Sequence, residues 1–353
     1  MQKSIVVQKV SEPVRLVERP IPEPGDNQLL LHVTATSLNP VDQKTRDVGL
    51  FSKQGPQVLA HDIAGRVIKL GPKQETSQFH VGDVVFAHAN LVPGAVIDDY
   101  GGLQEYAIVD SRYAAKSDDA GLTDAEAATI PVCAMAGFIA FFHSTGFGLP
   151  IPDGIFQSAQ GSTCSKAILI VGGGSNCGRF AIQFAKMCGF EQIIATASPG
   201  RFAELQELGA THVFDRHANR DEIVRQIRAI TGDDLIFALD TMSLGSEQDT
   251  ALAALSNSKR GCLITLNPVS ESEPEPTLIG DKTAGYDRRL TIGLSALYPE
   301  VSRVFWRRVS SWVQTGQLRP LKFKVLEGLD AEKVNQLLDD YRNKHGQKVV
   351  VRP

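Results

Sequence analysis

The sequence has no run approaching the roughly 18 consecutive apolar residues that a membrane-spanning helix needs, and its first residues lack the apolar core of a secretion signal. A cytoplasmic protein that neither crosses nor binds a membrane is the expectation. Lys and Arg nowhere gather into a block and the formal net charge is −4, which argues against a nucleic-acid partner. Cysteine is scarce and scattered: Cys133, Cys164, Cys177, Cys188 and Cys262 are odd in number, widely spaced and form no C-x-x-C pair. That pattern excludes a disulfide framework and a structural zinc as organising devices. What remains is a chain of 353 residues, 42% hydrophobic and 22% charged, long enough for two domains with separate cores.

Against that background one stretch stands out. Ala167 to Val171 is a short apolar run, followed at once by Gly172-Gly173-Gly174-Ser175-Asn176-Cys177-Gly178 and then by a helical pattern with apolar residues at Phe180, Ala181, Phe184, Ala185 and Met187. A second strand, Gln192 to Ala197, follows. The order strand, glycine turn, helix, strand predicts a βαβ unit of about 30 residues. Such a turn presents backbone N–H groups at a positive helix N-terminus, where a pyrophosphate binds without any side chain. Gly173 and Gly178 match the first and third glycines of G-x-G-x-x-G, and Ser175 replaces the second. Gly173, Gly174, Ser175, Asn176, Cys177 and Gly178 are therefore the predicted cofactor-binding turn.

The end of the second strand discriminates between dinucleotides. An acid about 20 residues after the turn would bind the ribose 2′-hydroxyl of NAD, whereas this chain reads Thr196-Ala197-Ser198-Pro199-Gly200-Arg201, with no acid before Glu204. A hydroxyl and a guanidinium suit a 2′-phosphate instead. Ser198 and Arg201, with Arg216 after the next strand, predict NADPH as the cofactor.

The rest of the chain divides by pattern. Residues 1 to about 115 read as short strands separated by turns, and Pro131 to His143 is apolar almost all round, as a buried helix is. From the glycine turn to about Leu266, strands alternate with helices, which implies a parallel sheet covered on both faces. Val269 to Pro276 reads as a polar loop, Val301 to Gly316 as a helix and Lys348 to Val351 as a final strand returning to the first domain.

Leu38-Asn39-Pro40-Val41-Asp42, Val81-Gly82-Asp83-Val84-Val85, Gly102-Leu103-Gln104-Glu105-Tyr106 and the segment Leu205 to Asp215 occur in an order and spacing that resemble the medium-chain dehydrogenase/reductase family. Leu38 to Lys44, Thr196 to Pro199 and Leu266-Asn267-Pro268 resemble its fungal branch of trans-acting enoyl reductases and quinone-reductase-like proteins. The resemblance implies an α/β chain: a Rossmann domain over 131–297 and a discontinuous GroES-like β-rich catalytic domain over 1–130 and 298–353. It also implies an NADPH-dependent reductase of activated carbon–carbon double bonds. Lys44 matches a lysine of the active cleft in related enoyl reductases, Asn39 is a candidate for the same face, and Met135, Leu266 and Asn267 fall near the nicotinamide. Phe51, Tyr100 and Phe147 are candidates for an apolar lining.

Zinc is not expected. Asn39 stands where zinc-dependent relatives have a first cysteine ligand, and His61-Asp62 where they have His-Glu, so a thiolate is missing from the set a catalytic zinc needs. The implied substrate is a small-molecule or carrier-bound enoyl thioester, with a polyketide synthase as partner and Arg303, Arg307 and Arg308 as a basic helix face for an acidic carrier. A quinone or enal reductase and a non-catalytic NADPH-binding protein remain as alternatives.

Overall fold

The computed structural model describes residues 1–51, 56–75, 78–89, 100–152, 166–269, 273–343 and 346–353; Cys164 lies outside them. The described strands are, in chain order, β1 (Gln2–Val7), β2 (Arg15–Arg19), β3 (Gln28–Ser37), β4 (Gln57–Val58), β5 (Asp62–Leu70), β6 (Val84–His88), β7 (Tyr106–Asp110), β8 (Ala114–Lys116), β9 (Ala167–Val171), β10 (Gln192–Ala197), β11 (His212–Asp215), β12 (Phe237–Asp240), β13 (Gly261–Thr265), β14 (Tyr286–Leu290), β15 (Lys324–Glu327) and β16 (Val349–Arg352). The chain divides into two compact units, Met1–Met135 with Leu294–Pro353, and Ala136–Gly293. The family resemblance implied these borders at 130/131 and 297/298.

The first unit is β-rich. One sheet runs β15-β16-β3-β5-β6-β8 with β7 also on β3, and a smaller one runs β2-β1-β4. β3 is the spine of the larger sheet because Leu29, Leu31 and Val33 alternate into a core shared with Ile63, Val67, Val85, Ala107 and Val109. Its pairing brings distant residues together: Ser37 at the end of β3 faces Asp62 at the start of β5 on one side and Val350 of β16 on the other. Three chain segments far apart in sequence thus end at one corner. A 16-residue helix, Pro299–Gln314, buries Phe305, Trp306, Val309 and Trp312 along one face.

The second unit is a six-stranded, wholly parallel sheet in the order β11-β10-β9-β12-β13-β14. Counted within the unit this is 3-2-1-4-5-6, the doubly wound Rossmann order, in which ligands bind beyond the carboxyl ends of the strands at the point where the order reverses. Here that point lies between β9 and β12. The sequence pattern missed β14, since Tyr-Asp-Arg-Arg-Leu carries three charges and lacks an apolar run; as an edge strand it is covered on one side only. β15, with Lys, Val, Leu and Glu, was missed for the same reason.

Candidate functional site

In the second unit the glycine turn leaves the end of β9. Gly172 has φ +75°, and a Cβ on Gly178 would come within 2.3 Å of the Gly172 carbonyl oxygen, so the helix Asn176–Met187 can start this close to the strand only with glycine there. A Cβ on Gly173 would meet that of Ala195 at 2.8 Å, whereas at Gly174 the nearest atoms lie at 3.5 Å, an ordinary contact. Ser175 is the N-cap: its Oγ accepts from Gly178 N at 2.9 Å and pairs with Thr241 Oγ1 at 2.8 Å. Thr241 follows β12 and itself donates towards the carbonyls of Val171 and Gly172, both at 3.0 Å. Ser175 therefore ties together the two strands that flank the reversal point. Helix geometry then directs the N–H groups of Asn176 and Cys177 out of the turn.

At the end of β10, Ser198 is surrounded by basic groups. The parallel register pairs Ala197 with Asp215, so the next residue on each strand comes together: Arg216 Nε donates to Ser198 Oγ at 2.9 Å, and His217 Nε2 lies 3.5 Å from the same oxygen. Arg201 follows in the turn Pro199–Arg201 and pairs with Glu204 at 3.2 Å; Glu204 also faces Arg179 at 3.4 Å, and the other acid here, Asp215, accepts from His217 N at 3.0 Å. The three basic side chains are exposed. Sequence reading missed His217, whose only signal was its position beside Arg216. Leu266 and Asn267 follow β13, held by the bond from Leu266 N to the Asp240 carbonyl at 3.0 Å and from Asn267 N to Thr265 Oγ1 at 3.2 Å. Asp240 ends β12; burial pushes its carboxyl above the ordinary carboxylate range, and Met242 and Ser243 N–H groups donate to its Oδ1.

In the first unit a buried polar centre forms at the corner made by β3, β5 and β16. Lys348 Nζ donates to Asp62 Oδ2 at 2.7 Å and to Asn39 Oδ1 at 2.8 Å, and the side chains of both Lys348 and Asp62 are fully buried. Asn39 Nδ2 and Ser37 Oγ donate to the same Asp62 oxygen, each at 2.7 Å, and Val132 N donates to the other at 2.6 Å. Cys133 Sγ stands 3.3 Å from Asn39 Oδ1. Burial pushes the Asp62 carboxyl up, but the Lys348 charge and these bonds outweigh it, so it titrates below its ordinary range. Burial pulls Lys348 down and the Asp62 carboxylate more than restores it, leaving its ammonium favoured. Beside this group, Asp42 accepts from Asn39 N and Ala60 N, each at 2.7 Å, and His61 Nδ1 lies 3.4 Å from Asp42 without a hydrogen bond.

This geometry changes the reading of two predicted residues. Asn39 is not an open catalytic donor: its amide nitrogen is committed to Asp62 and its oxygen to Lys348 and Cys133, and it also caps the helix Pro40–Val48. Met135 is fully buried, with Ser302 Oγ 3.6 Å from its sulfur, and packs in the core where a nicotinamide contact was expected. Lys44 lies half-buried in the helix that Asn39 caps. Tyr100 OH accepts from Gln28, and Phe147 packs edge-on against Phe141 and Phe237, so these two serve separate cores. Arg303 is paired with Glu75 at 3.3 Å, which leaves Arg307 as the exposed member of the basic face.

A parallel sheet of Rossmann order with a phosphate-type glycine turn, joined in one chain to a discontinuous β-rich unit, defines a two-unit dinucleotide oxidoreductase. Residues 25–119 match the alcohol dehydrogenase GroES-like domain and residues 177–286 the zinc-binding dehydrogenase domain. The trans-enoyl reductase ACTTS2 of Alternaria alternata is 30% identical over 97% of this chain and 95% of its own, and the trans-enoyl reductase tazE of Aspergillus terreus is 33% identical over 65% and 72%. The dehydrogenase azaJ of Aspergillus niger is 33% identical over 61% of this chain, a match that spans 60% of that relative. Among solved structures, an alcohol dehydrogenase superfamily protein from Novosphingobium aromaticivorans superposes with a TM-score of 0.77 over the whole of both chains at 23% identity, and the enoyl reductase CurK with 0.75 over 99% of both at 20%. The chain belongs to the medium-chain dehydrogenase/reductase family of oxidoreductases, whose cofactor is a nicotinamide dinucleotide.

One matched domain is named for zinc, and the residues here do not fit it. Among the described residues no three His, Cys, Asp or Glu side chains gather as a metal ligand set, and the Asp62 carboxylate is paired with Lys348. No helix among the described residues is long and apolar enough to cross a membrane.

Proposed function

We propose that this protein is a metal-independent, NADPH-dependent reductase of activated carbon–carbon double bonds, acting on enoyl thioesters of the polyketide type, free or carried by a polyketide synthase. What carries the reading is the approach of Arg216 and His217 to the Ser198 hydroxyl at the end of β10, with Arg201 in the turn that follows, in a chain that aligns over 97% of its length with a protein named a trans-enoyl reductase. A hydroxyl beside cationic donors suits the 2′-phosphate of NADPH; of the nearby acids, Glu204 is held by Arg179 and Arg201, and Asp215 accepts from His217 N.

When bound, NADPH supplies hydride to the β-carbon of the conjugated double bond. The chain's own groups do the rest. The N–H groups of Asn176 and Cys177 hold the pyrophosphate at a helix N-terminus. Reduction places negative charge on the thioester oxygen, and Lys44 is the group that stabilises that charge or directs the proton to the α-carbon. Asn39 fixes the start of the helix that carries Lys44.

The test is NADPH consumption, followed at the nicotinamide absorbance, with a short enoyl thioester and with a simple quinone, each with and without chelator. Thioester-dependent consumption that the chelator leaves unchanged is expected. Quinone-only consumption would replace this reading with a quinone reductase, and tight NADPH binding without turnover on any enone would replace it with a binding protein.

A further inference from the structure

Glu204 is the first acid after β10 and lies in the first turn of the helix Phe202–Leu208, three residues beyond Arg201. A free carboxylate beside such a strand end accepts from a ribose 2′-hydroxyl and repels a 2′-phosphate. In the fold its charge is met by two guanidinium groups: Arg201 Nη1 donates to Glu204 Oε2 at 3.2 Å, and Arg179 Nε faces Glu204 Oε1 at 3.4 Å. The two arginines differ in what else they can do. Arg201 has a side chain 45% exposed, and its Cγ lies 3.5 Å from where a Cβ on Gly174 would sit, so it is open to a ligand of the glycine turn. Arg179 is 7% exposed and stands on the helix Asn176–Met187 among the buried Phe180, Ala181 and Phe184. A guanidinium in that setting is costly unless paired. Its Nη1 donates to Asn176 Oδ1 at 3.0 Å, so one buried cation joins the glycine turn to the acid.

We propose that Arg179 is a positioning residue that sets the choice of dinucleotide through Glu204: it holds the acid against the helix that follows the glycine turn, withdraws it from the ribose and leaves Arg201 to serve a 2′-phosphate. The inference rests on the reading of Ser198 and Arg216 as the 2′-phosphate site, and it adds a requirement to that reading. Basic groups at the strand end attract the phosphate, but an unpaired acid among them would cancel the gain, so discrimination against NADH needs the acid disarmed as well. Arg201 cannot do this alone, because a guanidinium shared with a phosphate no longer offsets Glu204. Arg179 can, since it is fixed from behind by Asn176 and by burial.

Dissociation constants of NADPH and NADH for the full chain, read from nicotinamide fluorescence, test it. Arg179→Gln is expected to weaken NADPH about tenfold or more while NADH binds as well as before or better, because the freed carboxylate opposes a phosphate and accepts from a hydroxyl. Adding Glu204→Gln should restore most of the lost NADPH affinity, and Arg179→Lys, which keeps the charge, should keep the preference. A fault confined to the helix would weaken both dinucleotides alike, and a second substitution would not repair it. Unchanged NADPH affinity in Arg179→Gln, equal losses of NADPH and NADH, or a double variant no better than the single would each overturn the proposal. If Arg179→Gln does not fold, Glu204→Gln decides: NADPH bound as tightly as by wild type or more tightly supports the proposal, and weaker binding refutes it, since the acid would then be needed to place Arg201. Arg216→Ala separates this inference from the reading beneath it. Equal losses of both dinucleotides there would remove the 2′-phosphate site itself, whereas a selective loss of NADPH there with no response in Arg179→Gln would remove only the role of Arg179.

Discussion

His88 offers a sharp test of how the first unit is held together. It ends β6, is 1% exposed, and its Nδ1 lies 3.0 Å from Ser295 Oγ, which also accepts from Trp306 Nε1 at 3.2 Å. The imidazole is neutral, with Nδ1 bonded to the serine hydroxyl in either tautomer. Among the described residues Nε2 has no hydrogen-bond partner, and burial, aided by His61, pushes the group from 6.5 down to about 4, against the smaller pull of Asp62. The unfolded chain therefore takes up a proton below about pH 6.5 that the folded unit refuses until about pH 4, and the stability difference grows as pH falls through that window. At roughly 1.4 kcal/mol per pH unit the cost reaches about 3 kcal/mol by pH 4. Both tryptophans of the chain, Trp306 and Trp312, lie in the helix Pro299–Gln314, so urea unfolding followed by tryptophan fluorescence reports on this unit alone. Wild type and His88→Asn, which cannot protonate, are compared at pH 7.5 and pH 4.5. The carboxylates that stabilise the fold are common to both, so their losses cancel. Wild type should lose about 2 kcal/mol more than the variant. Equal losses would refute the neutral, buried imidazole.

Other perturbations address the cofactor and reaction groups. Arg216→Ala should weaken NADPH binding about tenfold or more, the worth of a charge-assisted bond, while leaving NADH unchanged in fluorescence titrations; equal losses would contradict the 2′-phosphate assignment. Lys44→Ala should lower kcat by about a hundredfold with NADPH affinity retained, and unchanged turnover would remove it from the reaction. Gly178→Ala forces a Cβ to within 2.3 Å of a backbone oxygen, so it should abolish retention on an immobilised nucleotide and lower the unfolding midpoint; normal retention would show that the turn does not hold the pyrophosphate. Charge reversal at Arg307, the exposed basic residue of its helix, should slow reduction of a carrier-bound enoyl thioester only, and an equal effect on the free thioester would reject docking there.

The parts of the fold that were legible in the sequence are those whose signal is local. β9, the glycine turn and the helix after it follow one another without interruption, and the wholly apolar Ile168-Leu169-Ile170 can only be a central strand or a buried helix, a choice the turn resolves. β14 was not legible, because an edge strand needs no apolar run, and its arginines are accounted for by partners far away in sequence: Arg288 bonds to Gln248, and Arg289 to the Ser144 carbonyl. His217 was hidden in the same way. Its approach to Ser198 depends on the register of β10 with β11, which no local pattern records.

Asn39 shows the limit in chemical terms. Taken alone, an asparagine at this point of the chain looked like a hydrogen-bonding group for a reacting molecule. In the fold its carboxamide is the joint between a carboxylate 23 residues on and an ammonium 309 residues on, both buried. A thiolate in its place could not do that work, since it would offer Asp62 no N–H and would leave two negative groups around one lysine. Conversely, removing Lys348 alone would leave Asp62 buried and unpaired, a change that typically costs several kcal/mol. The two residues are therefore coupled: each makes the other tolerable in the buried corner.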